Sequence, residues 1–330
     1  MKTKLNHQLV AAFGLLFTLN LQPSALLAQG SLTPPGAPAP TMKTLAQIEP
    51  RTPITNATTP VTISVPGSYY LTTNLTVSGG NAITIATNGV TLDLNGFTIS
   101  STTNPASGIA VQIGSGLRNI AIQNGHIQGG VTNNGSGVFS GPGFGYGIFY
   151  SGSAPQNVRV SGVSVSGCLY AGIYVGDGAS TTVENCVVGT VGSVGIVAST
   201  IRGCVALDCG GSAIYGNQVS DSQGLSVGSG YGLYAGTAHN CHGSSVSGTG
   251  LSATTALNCF GFSVSGTGLS AATALNCYGV SDSGPSGLQA QNAAFCTGYR
   301  FRGRAIEATI ANGCWAASGT NLITYKYNMP

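Results

Sequence analysis

The pair Asn258-Cys259 returns eighteen residues later as Asn276-Cys277, with a Gly-Leu pair midway at Gly268-Leu269. So short a period, sustained along a chain, leaves few architectures open. One apolar column runs Ile148, Ile173, Ile196, Ile214, Leu233, Leu251, Leu269, Leu288 and Ile306, in steps of 25, 23, 18, 19, 18, 18, 19 and 18. Glycine precedes it at Gly147, Gly172, Gly195, Gly232, Gly250, Gly268 and Gly287. A second column runs Cys186, Cys204, Ser222, Cys241, Cys259, Cys277, Cys296 and Cys314, in steps of 18 or 19. Such a period is one coil of a β-solenoid, whose strands stack about 4.8 Å apart so that like residues lie on like.

The other positions of the coil agree. Two residues after the Ile/Leu column stand Val175, Ala198, Gly216 and then alanines to Ala308; three before the Cys column stand Val183, Ile201, Val219 and then alanines to Ala311. Both sets are small or apolar and are expected to face inward. Asn185, Asn240, Asn258 and Asn276 immediately precede the cysteines. Asn tolerates the left-handed backbone of a sharp bend. A bend there accounts for an inward spacing of three rather than two, and stacked Asn side chains can hydrogen-bond along the axis. From Leu269 the inward residues follow at two, three, three and two, not at the six of a left-handed hexapeptide helix. The expected fold is all-β, a right-handed parallel β-helix with coils of about 18–25 residues.

The chain opens MKTKLNHQLVAAFGLLFTLNLQPSALLAQG, with a basic start at Lys2 and Lys4, an apolar run from Leu9 to Leu21 and small residues to Ala28. That pattern predicts a signal peptide over residues 1–28. The protein is then exported, to periplasm, cell surface or medium, with no membrane span once the signal is removed. Residues 29–54 read as a Pro-rich tether and short N-terminal cap, with a helical turn in KTLAQIEPRTP stopped by Pro50 and Pro53. The β-helix is expected over 55–330. Lys2 and Lys4 are two of the 11 basic residues, so nine remain against eight acidic ones. A chain only 6% charged is a poor partner for nucleic acid, whose phosphates need many cations.

The stretch PGSYYLTTNLTVSGGNAITIATNGVTLDLNGFTIS, residues 66–100, resembles the opening of secreted right-handed parallel β-helix proteins of the pectin-lyase-like superfamily. The Gly-Ile/Leu and Asn-Cys units resemble that family's coils, and NIAIQNGHIQG (119–129) its Ile-x-Asn-Gly-x-Ile turn. The lead-in TPPGAPAPTMKTLAQIEPRTPI is similar to the tether of exported bacterial members. The resemblance implies the fold. It leaves the activity open, because the family includes lyases, hydrolases, epimerases, adhesins and tail spikes.

Nine cysteines in an exported chain suggest disulfides, but stacked residues have parallel Cβ vectors, which strains a bridge between coils. Ser222 fills the same slot, so cysteine here reads as a small buried residue. Cys168 and Cys209 form another inward site, with Val191, Val246 and Val264 expected at the equivalent place. A linear thiol stack offers no tetrahedral geometry, so no metal and no cofactor is expected. Acids are sparse. Asp208 and Asp282 are read as one column four coils apart, and Asp93 as ordering its Asn-Gly turn. Arg300, Arg302 and Arg304 alternate, as on one face of a strand, and read as a solvated edge or, as the alternative, an anion site. No catalytic constellation emerges. The alternative is a polysaccharide lyase or glycoside hydrolase whose acids converge through loops. It would need Asp177 and Glu184 clustered with Arg159 or Arg202, and the insertion 130–147 as the wall of a cleft.

Two outward columns carry the functional signal. Phe149, Tyr174, Val197, Tyr215 and Tyr234 each follow the Ile/Leu column, and His242, Phe260, Tyr278, Thr297 and Trp315 each follow a cysteine. The first lies on the strand face where enzymes of the resembled family bind glycans. Aromatic rings suit sugar faces, and an exposed aromatic stripe marks a contact surface. The expectation is a non-catalytic exported β-helix that contacts polysaccharide or cell-surface partners through Phe149, Tyr174, Tyr215, Tyr234, Phe260, Tyr278 and Trp315.

Overall fold

The computed structural model describes residues 49–56, 58–178 and 180–329. The signal peptide, the tether and the start of the helical turn lie outside the described residues. Stacked short strands build a parallel β-solenoid of about 14 turns and about 19 residues per coil, with no helix among the described residues. Strands run from Thr52–Ile54, which pairs in parallel with Gly67–Leu71, to Trp315–Tyr327.

The predicted columns stack in register. Ile148 pairs with Ile173, and the ladder continues through Ile196, Ile214 and Leu233 to Ile306. All of these side chains are buried. The residues before the cysteines turn the chain with positive φ: Asn185, Asn240, Asn258 and Asn276 at 52°, Asp221 and even Phe295 likewise, Gly203 at 61° and Gly313 at 60°. Side chains at this bend, and at the one before Ile120 and Val158, do bond along the axis. Asn240 Nδ2 donates to Asp221 Oδ1 at 3.2 Å, and Asn157 Nδ2 to Asn119 Oδ1 at 2.7 Å. Asp93 Oδ1 accepts from Asn95 N at 2.8 Å and so orders its turn.

The core tapers, in a way the repeat did not announce. One inward ladder reads Leu75, Ile99, Ile127, Val165, Val188, Ala206, Gly224, Gly243, Gly261, Gly279, Gly298. A second falls from Ile122 through Val160, Val183, Ile201 and Val219 to alanine. Side chains shrink as the coils shorten, because opposite walls approach. A Cβ on Gly261 would lie 2.3 Å from Gly268 O. Glycine in these columns is thus a demand of interior packing, which admits no overlap.

Two inward assignments change. The ladder through Cys168, Val191 and Cys209 continues as Ser226, Ser245, Ser263 and Ser281, not through Val246 and Val264. Those valines are 40% and 39% exposed, whereas the serines are buried. The cause is a bulge. Gly167, Thr190 and Asp208 take positive φ of 68°, 52° and 52° just before this column. The next coil drops the extra residue, and the register shifts between Ala206 and Cys209. Asp282 follows Ser281 while Asp208 precedes Cys209, so the two aspartates share no column. Ala198 likewise pairs with Gly176 rather than Val175, across another shift, although Val175 is buried as expected.

All nine cysteines are buried free thiols. They are more than filler. Cys241 Sγ reaches back over the Asn bend to His239 O at 3.2 Å, and Cys259 Sγ to Leu257 O at 3.1 Å. Ser222 Oγ makes the same bond to Ser220 O at 2.7 Å. Each therefore adds a second donor to a carbonyl that already accepts a backbone N–H from the neighbouring coil at the bend. Burial pushes the Cys168 thiol up to about 12 from an ordinary value of 9.0. The folded protein holds that proton where the unfolded chain releases it. The resulting stability is complete below pH 9 and is lost between pH 9 and about 12, by about 1.4 kcal/mol per pH unit for one such group. Native protein at pH 8 is expected to resist iodoacetamide while denaturant without reductant exposes nine alkylatable thiols, counted by intact mass. Rapid native labelling, or fewer than nine labels after unfolding, would contradict this.

Candidate functional site

The first aromatic column lies on Tyr146–Tyr150, Ala171–Gly176, Ile196–Arg202, Ile214–Ser220 and Leu233–His239. Phe149, Tyr174, Val197, Tyr215 and Tyr234 pair in sequence across these strands. Tyr215 and Tyr234 stack with centroids 4.6 Å apart and planes at 12°. That separation is too short for two rings side by side in one plane, so they stand on edge and cover each other's faces. Phe149 and Tyr174 are 5.4 Å apart and tilted by 41°. The rings of this column therefore do not lie side by side as one flat pavement.

The column has one gap. Val197 is only 5% exposed and floors a recess of about 250 Å³ lined by Tyr174, Asp177, Val194, Val197, Ser212 and Tyr215. Tyr174 and Tyr215 are two strand spacings apart, about 10 Å. Their facing sides carry no ring of the column between them. Aromatic contacts run at about 5 Å between ring centres, so the gap is sized for one inserted ring in contact with both. A second recess of about 460 Å³, lined by Tyr146, Phe149, Tyr150, Tyr170, Tyr174 and Val194 among others, adjoins the first through Tyr174 and Val194.

Tyr146, Tyr150, Tyr170 and Tyr231 were missed by the column reading. Tyr146 lies 4.3 Å from Phe149, Tyr150 5.8 Å from Tyr174, Tyr170 5.2 Å from Tyr146, and Tyr231 5.2 Å from Tyr234. A signal existed for three of them: Tyr146, Tyr170 and Tyr231 fall two or three residues before the Ile/Leu column. Burial, with Tyr150, Asp177 and Tyr215 nearby, holds the Tyr174 phenol above its ordinary value. Burial, with Tyr234, Asp177 and Tyr231, does the same at Tyr215. Both phenols therefore stay neutral hydroxyls at physiological pH. Among the described residues the hydroxyls of Tyr146, Tyr150, Tyr170, Tyr174, Tyr215 and Tyr234 have no hydrogen-bond partner in the chain. Beyond Tyr234 the same ladder continues as Ser252, Ser270, Gln289 and Glu307, a change from aromatic to polar.

The second column also stacks, from His242 through Phe260, Tyr278 and Thr297 to Trp315. His242 meets Phe260 edge to face at 4.6 Å, and Phe260 lies 5.5 Å from Tyr278. Burial holds the His242 imidazole below its ordinary value. Trp315 is 61% exposed and separated from Tyr278 by Thr297. None of its residues lines either of the two recesses.

The acids and bases are distributed. Arg159 Nη2 meets Glu184 Oε2 at 2.6 Å, Arg51 pairs with Asp93 at 3.4 Å, and Arg304 with Glu307 at 3.0 Å. Asp208 accepts from Asn133 at 2.7 Å. That bond ties down the insertion 130–147, whose short hairpin of Thr132–Asn133 and Phe139–Ser140 lines neither recess, while Tyr146 near its end lines the larger one. Arg300 donates to Ser283 O at 3.0 Å and Arg302 lies over Phe301, so the three arginines have separate partners. Asp177 is the one carboxylate among the residues lining the two recesses, and Glu184 lines neither. Among the described residues no group of three or more His, Cys, Asp or Glu is placed to hold a metal ion. No family model, no characterised protein and no solved structure matches the chain.

Proposed function

We propose that this is an exported β-helix that binds polysaccharide without cleaving it, through the aromatic groove from Tyr146 to Tyr234. The observation that carries the reading is the gap at Val197, open between Tyr174 and Tyr215. One pyranose ring fits between two aromatic faces there, with unbonded phenol hydroxyls beside it for the sugar's own hydroxyls. Flanking rings and the polar run Ser252, Ser270 and Gln289 extend the track to neighbouring sugars. The isolated carboxylate supports binding rather than cleavage, since glycoside hydrolysis needs two carboxyl groups about 5–9 Å apart across one bond. Placement in the pectin-lyase-like superfamily, right-handed winding and export belong to the same reading. They rest on the 66–100 stretch, on the inward spacing and on the N-terminal pattern.

The test is a screen of uronic, neutral and amino glycans by affinity electrophoresis with assay for released ends. Retention without products is expected. The double variant Tyr174→Ala, Tyr215→Ala should lose at least about tenfold in affinity. Val197→Phe should lose as much while removing no ring, because it fills the gap. Products from any glycan would overturn the non-catalytic reading. Undiminished retention in both variants would move binding away from this groove.

A further inference from the structure

We infer that the gap between Tyr174 and Tyr215 selects an amino sugar, with Asp177 receiving its protonated amine. The inference rests on the groove being a glycan site. The exposed Asp177 side chain makes no ion pair or hydrogen bond within the described chain, and its only contact of that kind is a backbone bond from Asn217 Nδ2 to its carbonyl at 2.8 Å. Asp93, Glu184 and Glu307 pair with arginines, and Asp208 and Asp221 accept from Asn133 and Asn240, while the exposed Asp282 lines neither recess. Asp177 thus presents an uncompensated negative charge at the wall of a recess whose other walls include two tyrosine rings.

No Lys or Arg lines either recess. A uronic polymer entering the groove would bring carboxylates toward Asp177 with no cation to meet them. An ammonium gains twice over, from the carboxylate and from the electron-rich faces of Tyr174 and Tyr215. Charge and ring geometry therefore agree on one ligand class, a polymer of hexosamine with free amino groups.

The experiment is calorimetric titration of the purified protein with hexasaccharides of glucosamine, of N-acetylglucosamine and of galacturonic acid, and with hexalysine. The free-amine hexamer should bind at least about tenfold tighter than its N-acetylated counterpart, and the galacturonate weakest of the three sugars. Asp177→Asn should abolish the preference for the free amine, lowering its affinity at least about tenfold more than that of the N-acetylated hexamer, and Asp177→Glu should keep most of the preference. Equal binding of the two hexosamines, tightest binding of galacturonate, or a preference that survives Asp177→Asn would overturn the inference while leaving the groove in place. Hexalysine binding as tightly as the free-amine hexamer would overturn it too, since charge alone would then suffice. No binding of any sugar, or sugar affinities untouched by Tyr174→Ala, Tyr215→Ala, would remove the groove reading itself.

Discussion

Gly250→Ala is expected to destabilise the solenoid by about 3 kcal/mol or more, while Gly189→Ala changes stability by less than about 0.5 kcal/mol. Gly250 is buried and Gly189 half-buried within its strand, and neither has a positive φ. They differ in what a methyl group would meet. At Gly250 an added Cβ would lie 2.2 Å from Phe262 O, 2.5 Å from Phe262 N and 2.6 Å from Gly268 O, all backbone. The strand carrying Phe262, which is not a ladder partner of the strand after Gly250, would have to move away, and close-packed interiors do not yield by that amount. At Gly189 nothing lies within 4 Å. Denaturant midpoints followed by circular dichroism decide it. An insoluble Gly250→Ala beside a soluble Gly189→Ala would count in favour, and equal midpoints would count against. The same contrast explains why glycine precedes the Ile/Leu column so regularly: the narrow coils have no room there.

A second pair of variants separates a working hydroxyl from an idle one. Ser263→Ala is expected to cost about 2 kcal/mol and Ser226→Ala to fall within about 0.5 kcal/mol of the parent. The two serines are buried equally and occupy one ladder. Ser263 Oγ donates to Gly248 O at 2.6 Å and accepts from Gly266 N at 2.8 Å, closing the turn of one coil onto the next. Ser245 and Ser281 repeat the arrangement with Gly230, Gly248, Gly266 and Gly284. Ser226 Oγ has no such partner. The coil beneath it still carries the Asp208 bulge, so its turn enters at a different register. Removing an unbonded buried hydroxyl costs nothing in hydrogen bonding, whereas removing a doubly bonded one strands a donor and an acceptor. Equal losses for the two variants would refute this assignment.

The period, the parallel solenoid, the buried thiols and the Asn bends were legible in the residues alone. In a stack every coil meets the same environment, so each structural demand is written many times over. The demand for left-handed backbone recurs as Asn at 185, 240, 258 and 276, and the demand for no side chain recurs as the Gly column. Phe149, Tyr174, Tyr215 and Tyr234 were found by the same counting, and they do share one ladder.

Counting failed where one residue could belong to either of two elements. Spacing cannot tell a bulge before Cys209 from a longer turn after it, and only the hydrogen-bond register decides between Ser245 and Val246 as the inward residue. Nor could it show how rings orient. Whether Tyr215 lies flat or stands against Tyr234 depends on the neighbouring coil's ring, with centroids 4.6 Å apart, not on its own position in the repeat. The gap at Val197 and the lone Asp177 beside it arise where three coils meet. The sequence by itself therefore determined what each coil is, because local conformation and stacking repeat. The tertiary structure alone decided what the coils make together, because a recess is a relation between side chains that no single period contains.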